Sequence, residues 1–97
     1  MVEEINISLN NLGTTNKNCV TIRTSKGSID LYFSYETLVA VDGLVSINKW
    51  SKTTGKLLNE INPNKDKRKP HTEILKEAQK RLKELLYTKK ELILNNL

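Results

Sequence analysis

The 97-residue sequence predicts an α+β fold: an antiparallel β-meander of about four strands, a short helix after Trp50, and a long C-terminal amphipathic helix packed on the sheet. Two observations carry this. Apolar and polar residues alternate with period two through the first half, with turn signals at Gly27 and Asp42-Gly43, whereas the second half switches to steps of three and four. The connections between the β-prone runs are also too short for the crossover helix that parallel strands need, so the strands pair antiparallel. The length is that of one domain spanning 1–97. Hydrophobic residues make up 37%, below the ~45–50% typical of globular chains, so the core is expected to be small.

In chain order, Ile5 to Leu9 alternates as a short strand, and the polar stretch Asn10 to Asn18 reads as a loop. Cys19 to Thr24 is β-prone, and Gly27 supplies a turn with the positive φ that other residues resist. Ile29, Leu31, Phe33 and Tyr35 then alternate with Asp30, Tyr32 and Ser34. The buried face is expected to carry Phe33, which leaves Tyr32 exposed beside Asp30. Thr37 to Val41 and Leu44 to Trp50 flank Asp42-Gly43, a strong signal for a two-residue hairpin, and complete a meander over 5–50.

Ser51 suits the N-cap of a helix over 51–61, whose apolar face is Leu57, Leu58 and Ile61. Asn62-Pro63 ends it, because the residue before a proline is driven out of the helical region. A basic connector fills 62–69. Pro70 opens the long helix, expected over 70–95 with Leu75, Ala78, Leu82, Leu85 and Leu92 on one face. Its 3-4 spacing also suits a homodimer in coiled-coil fashion, with the tail after Tyr87 as the contact.

The net charge of +5 is unevenly placed. Residues 1–48 carry −2, residues 49–69 carry +5 and residues 70–97 carry +2. A cationic middle segment favours nucleic acid or an acidic host protein surface as partner, although lysines that only solvate a loop give the same pattern. A lone cysteine excludes an intrachain disulfide, and neither a leader nor an apolar run of membrane-spanning length is visible. These features point to a cytoplasmic protein with no membrane partner.

Catalytic constellations are missing. Thr54-Gly55-Lys56 resembles the end of a phosphate-binding loop, but Trp50 stands where the earlier glycine belongs and Leu57 where Ser or Thr would bind magnesium. With one histidine, His71, and one cysteine, Cys19, neither a zinc cluster nor a Cys-His or Ser-His nucleophile can be assembled within the chain. Glu36 and Asp42 are the nearest approach to a carboxylate pair. The expectation is a non-enzymatic protein without cofactor or metal. The candidate site is instead an anion or nucleic-acid interface: Lys49, Lys52 and Lys56 around a helix start, the hydroxyls of Ser51, Thr53 and Thr54, and the connector cations Lys65, Lys67, Arg68 and Lys69. Trp50, Tyr32 and Tyr35 are candidates for base stacking, worth ~1–3 kcal/mol per base. The same residues equally suit a capped helix, solvated lysines and a boundary tryptophan.

The segments YFSYETLVAV and SINKWSKTTGKLLNEI resemble a family of small, functionally unassigned proteins of phages, archaeal viruses and low-GC microbial genomes. The family pattern is approximately YFSY-x-T-x-VA, then N-x-W-S-x-TTGK-x-L-N-x-I. The histidine expected after the lysine is Leu57 here, so a role resting on that histidine does not carry over. The resemblance implies a viral or mobile-element protein, in the cytoplasm of its host, that acts by binding. Two functions stay open: a nucleic-acid-binding module using residues 49–69, and a viral inhibitor of a host protein such as a defence-system (anti-CRISPR-like) factor.

Overall fold

The computed structural model describes residues 4–13 and 16–87. Five strands come first: β1 (Ile5–Asn11), β2 (Lys17–Thr24), β3 (Gly27–Ser34), β4 (Thr37–Val41) and β5 (Leu44–Val45). They are followed by α1 (Lys52–Ile61), a 3-10 turn (Lys65–Lys67) and α2 (His71–Leu86). The strands form one antiparallel sheet in the order β1-β2-β3-β4-β5. The α+β class and the meander are as expected, with five strands where about four were expected.

Both faces of the sheet beyond β1 are covered, and a bulge in β4 makes that possible. Tyr32 pairs with Ala40 and Phe33 with Leu38, so Val39 is an extra residue with no partner on β3. An extra residue resets the alternation of a strand. Leu38 and Val41 therefore join the cluster beneath α2, with Ile29, Leu31, Ile74, Ala78 and Leu85. Val39 and Ala40 join Val45, Leu57 and Leu58 beneath α1 on the other face.

This layering corrects the exposure expected for Tyr32. It is half-buried against the α1 cluster, because α1 covers the face that alternation alone left open. Its register partner Cys19 is buried beside it. The Cys19 sulfur lies 3.9 Å from the Thr21 hydroxyl, which donates to Asp30 at 2.6 Å. Burial, the largest cause, pushes both the Cys19 thiol and the Tyr32 phenol above their ordinary pKa values, and the charge of Asp30 adds to the shift.

The helices follow their local signals with two corrections. In α1, Ser51 caps the first turn by accepting from the Thr54 amide at 3.3 Å, and Asn62 ends the helix in extended backbone before Pro63. In α2 the core contact is Ile74, while Leu75 is 40% exposed, so the apolar face runs through Ile74, Ala78, Leu82 and Leu85. The helix ends at Leu86, with Tyr87 extended as its cap. The expected continuation to Asn95, Leu92 and the dimer contact beyond Tyr87 lie outside the described residues.

Strand β5 is much shorter than the expected run to Trp50. After Val45 the chain takes a new partner: Ser46 forms a parallel bridge with Lys69, the Ile47 amide donates to the Lys69 carbonyl at 2.8 Å, and the Lys69 amide donates to the Val45 carbonyl at 3.0 Å. The basic connector thus lies along the outer edge of β5. At the hairpin between β4 and β5, Asp42 adopts a left-handed φ of 50° and accepts the Asp30 amide at 2.9 Å. Its other oxygen accepts from Arg81 at 2.8 Å, and Glu77 accepts from the same guanidinium at 2.9 Å, tying α2 to the turn.

Ile74→Ala removes a fully buried side chain and is expected to cost about 2–5 kcal/mol. Arg81→Ala breaks an ion pair whose side chains are about one-third exposed, and the expected cost is about 1 kcal/mol or less. Chemical denaturation of both variants checks the order. A second expectation is alkaline: a folded-state pKa raised above the unfolded value gives stability that is complete below the unfolded pKa and lost above it. The melting temperature is therefore expected to fall as pH rises through the ordinary thiol range and then the phenol range. Cys19→Ala should remove the first part of the decline, as a pH series of thermal melts would record.

Candidate functional site

The corner between β5 and α1 is built by short-range hydrogen bonding. The Asn48 side chain accepts the Trp50 amide at 3.0 Å and donates to the Ser51 carbonyl at 3.1 Å, bracketing Trp50 from both sides. An asparagine that bonds the backbone two residues on makes its own turn. Gly55 permits the bracket: a Cβ at that position would stand 2.9 Å from the Asn48 amide nitrogen. The glycine of the TTGK stretch serves a close approach within α1, which differs from the phosphate cradle its sequence resembles.

Trp50 is 37% exposed and meets His71 edge-on, with ring centroids 5.1 Å apart. The His71 Nε2 donates to the Leu38 carbonyl at 2.8 Å, so the tryptophan leans on the first turn of α2, which in turn is held to β4. Lys49 places its ammonium 5.7 Å from the centroid of the Trp50 ring, within cation–π range.

Beside Trp50 opens a pocket of about 250 Å³, to which Tyr35, Val39 and Trp50 give an apolar lining and Ser34, Thr37, Ser51 and Thr54 contribute hydroxyl groups. It is smaller than the ~300–1,000 Å³ typical of drug-sized sites, and suits one flat ring. Tyr35 is 61% exposed and holds a left-handed φ of 56°. That conformation is costly for a bulky residue. Its amide donates to the Asn16 carbonyl at 2.6 Å, which fixes the turn between β3 and β4. Thr54 is buried, and its hydroxyl lies 2.8 Å from that of Ser34. Ser51 is already the helix cap, so these three hydroxyls serve the fold first.

Apart from the buried Thr54, the expected site residues divide into four groups. Lys49, Trp50, Ser51, Lys52, Thr53 and Lys56 stand together at the corner and along the first turns of α1, all exposed. Lys69 is brought to them through its backbone pairing with Ser46 and Ile47, and Arg68 bonds the Asn59 side chain of α1. Lys65 and Lys67 are exposed on the 3-10 turn. Tyr32 is not part of the group, since it is packed against the core under α1. Residues that sequence reasoning missed are Asn48 and His71 as supports and Ser34 in the pocket lining; the local signal for Asn48 was an asparagine two positions before Trp50.

The corner offers aromatic surface, hydroxyls and exposed ammonium groups, a set suited to a flat ring joined to a negatively charged group. Among the described residues no group of three His, Cys, Asp or Glu side chains is placed to hold a metal ion, and no helix is long and apolar enough to cross a membrane.

Comparison with curated proteins and with solved structures gave no match. A family of unknown function, DUF8033, matches residues 6–77, which run from β1 through the first part of α2 and include the whole corner around Trp50. The chain belongs to this family of unknown function.

Proposed function

We propose that this protein is a non-catalytic binding module that engages single-stranded nucleic acid at the corner between β5 and α1. The observation that carries the reading is the Tyr35–Trp50 pocket, with the Lys49 ammonium against the Trp50 ring and Lys52 and Lys56 exposed on the adjoining helix α1. The lysines attract the phosphate backbone, and the pocket receives an unpaired base. A base inside a duplex is stacked on both faces and cannot enter it, which favours single strands. Lys69 and Arg68 extend the cationic surface along the β5 edge, and Lys65 and Lys67 continue it on the 3-10 turn. The resemblance to phage and archaeal-virus proteins supports a viral or mobile-element origin and a place of action in the host cytoplasm. A rival reading, inhibition of a host defence protein through the same cations, has no observation specific to it.

Labelled single- and double-stranded DNA and RNA titrated at two salt concentrations test the reading. Single strands are expected to bind more tightly, with a log–log salt slope near −0.7 per phosphate neutralised. Trp50 is the sole tryptophan, so its fluorescence should be quenched on binding. Tyr35→Ala is expected to lose about 1–3 kcal/mol of affinity. Replacing Lys52 and Lys56 with Glu should abolish binding and leave the melt nearly unchanged, since both are exposed. Absence of salt-sensitive binding at micromolar protein would reject the proposal.

A further inference from the structure

The two edges of the sheet are treated differently. The β5 edge is sealed by the connector through Ser46, Ile47 and Lys69. The β1 edge has no neighbour among the described residues, and all seven residues of β1 are exposed. Ile7 and Leu9 are 66% and 68% exposed. They point to the same face as their partners Ile22 and Val20, which pack against the α2 cluster. The apolar surface of that cluster therefore continues outward onto β1 without a cover.

Natural edge strands are protected by lysines, prolines, bulges or short length. From Ile5 to Asn11 there is no charge, no proline and no glycine, and the register with β2 is unbroken over seven pairs. Such a strand is a template for strand addition.

We infer that β1 is a self-association edge, on which a second copy of this chain adds its own β1 antiparallel to form a two-fold symmetric dimer with a ten-stranded sheet. The register centres on Ile7. With Ile7 opposite Ile7, each Ile5 stands opposite Leu9 of the other copy, so six aliphatic side chains share one face. Asn6, Ser8 and Asn10 of both copies share the other face.

Charge selects this occupant. Two uncharged strands meet without like-charge repulsion, whereas a polyanion or an acidic protein gains nothing from an edge that carries no cation. Residues 1–48 have a net charge of −2, and the cationic 49–69 segment lies at the far side of the sheet. Pairing through β1 thus joins uncharged strands at the edge opposite β5, with the cationic segments of two chains that are each +5 overall at the outer ends. The inference is independent of nucleic-acid binding.

Light scattering after size exclusion, over a concentration series of the full chain, tests it. Twice the chain mass is expected at the high end of the series. Ile7→Lys is expected to give the single-chain mass at the same concentration with an unchanged fold, because the residue is exposed in one chain. In a Cys19→Ala background, Ile7→Cys should oxidise to a covalent dimer, while Asn10→Cys should not, because only residue 7 meets itself across the axis. A single-chain mass at every concentration overturns the proposal, as does a dimer that survives Ile7→Lys.

Discussion

The bulge in β4 is the constraint on which the molecule depends. A regular five-residue strand presents alternate residues to two faces, and here the extra Val39 sends two neighbouring side chains to one side and leaves Leu38 and Val41 for the other. Two helices are thereby anchored on opposite faces of one short strand. Remove the bulge and one of the two clusters loses its partners, because a shift of one residue turns every following side chain over. The Leu38 carbonyl accepts from His71 and the Val39 carbonyl from the Ser46 amide at 3.0 Å. Both the start of α2 and the segment leading to Trp50 therefore take their position from β4.

Much of the fold is legible from local pattern. Alternation and Asp42-Gly43 give the meander, and Ser51 and Asn62-Pro63 mark the ends of α1. What local pattern does not carry is which side of a two-faced strand is covered. Tyr32 is half-buried because α1, some twenty-five residues downstream, covers the face that alternation could only label as the second one. The early end of β5 has the same origin. Ser46 and Ile47 are β-prone enough to continue a strand, but their backbone partners are supplied by Lys69, more than twenty residues away. In α2, Ile74 and Leu75 are both apolar neighbours, and only the sheet decides which of them faces inward.

The corner around Trp50 was legible as a place of interest, while its construction was not. The TTGK stretch draws attention by its likeness to a phosphate loop, yet Thr54 is a buried partner of Ser34 and Gly55 makes room for Asn48. The aromatic surface depends on Tyr35, whose left-handed backbone no alternation rule foresees. Glycine or asparagine would adopt that φ at less cost. The large exposed ring held there forms one side of the pocket.

The strictly sequential strand order also sets the timetable of folding. Each strand pairs with the one made just before it, so hairpins zip over short loops and little chain entropy is spent before contacts form. The longest closures are made by α2, whose end reaches back to the turn between β2 and β3: the Leu85 carbonyl accepts from Thr24, and the Tyr87 carbonyl from the Lys26 ammonium. All five strands precede α2 in the chain, so the sheet is synthesised before the helix that covers it. Until α2 docks, Ile29, Leu31 and Val41 lack the side chains that cover them in the folded chain, and exposed apolar surface of this kind is what promotes misassociation.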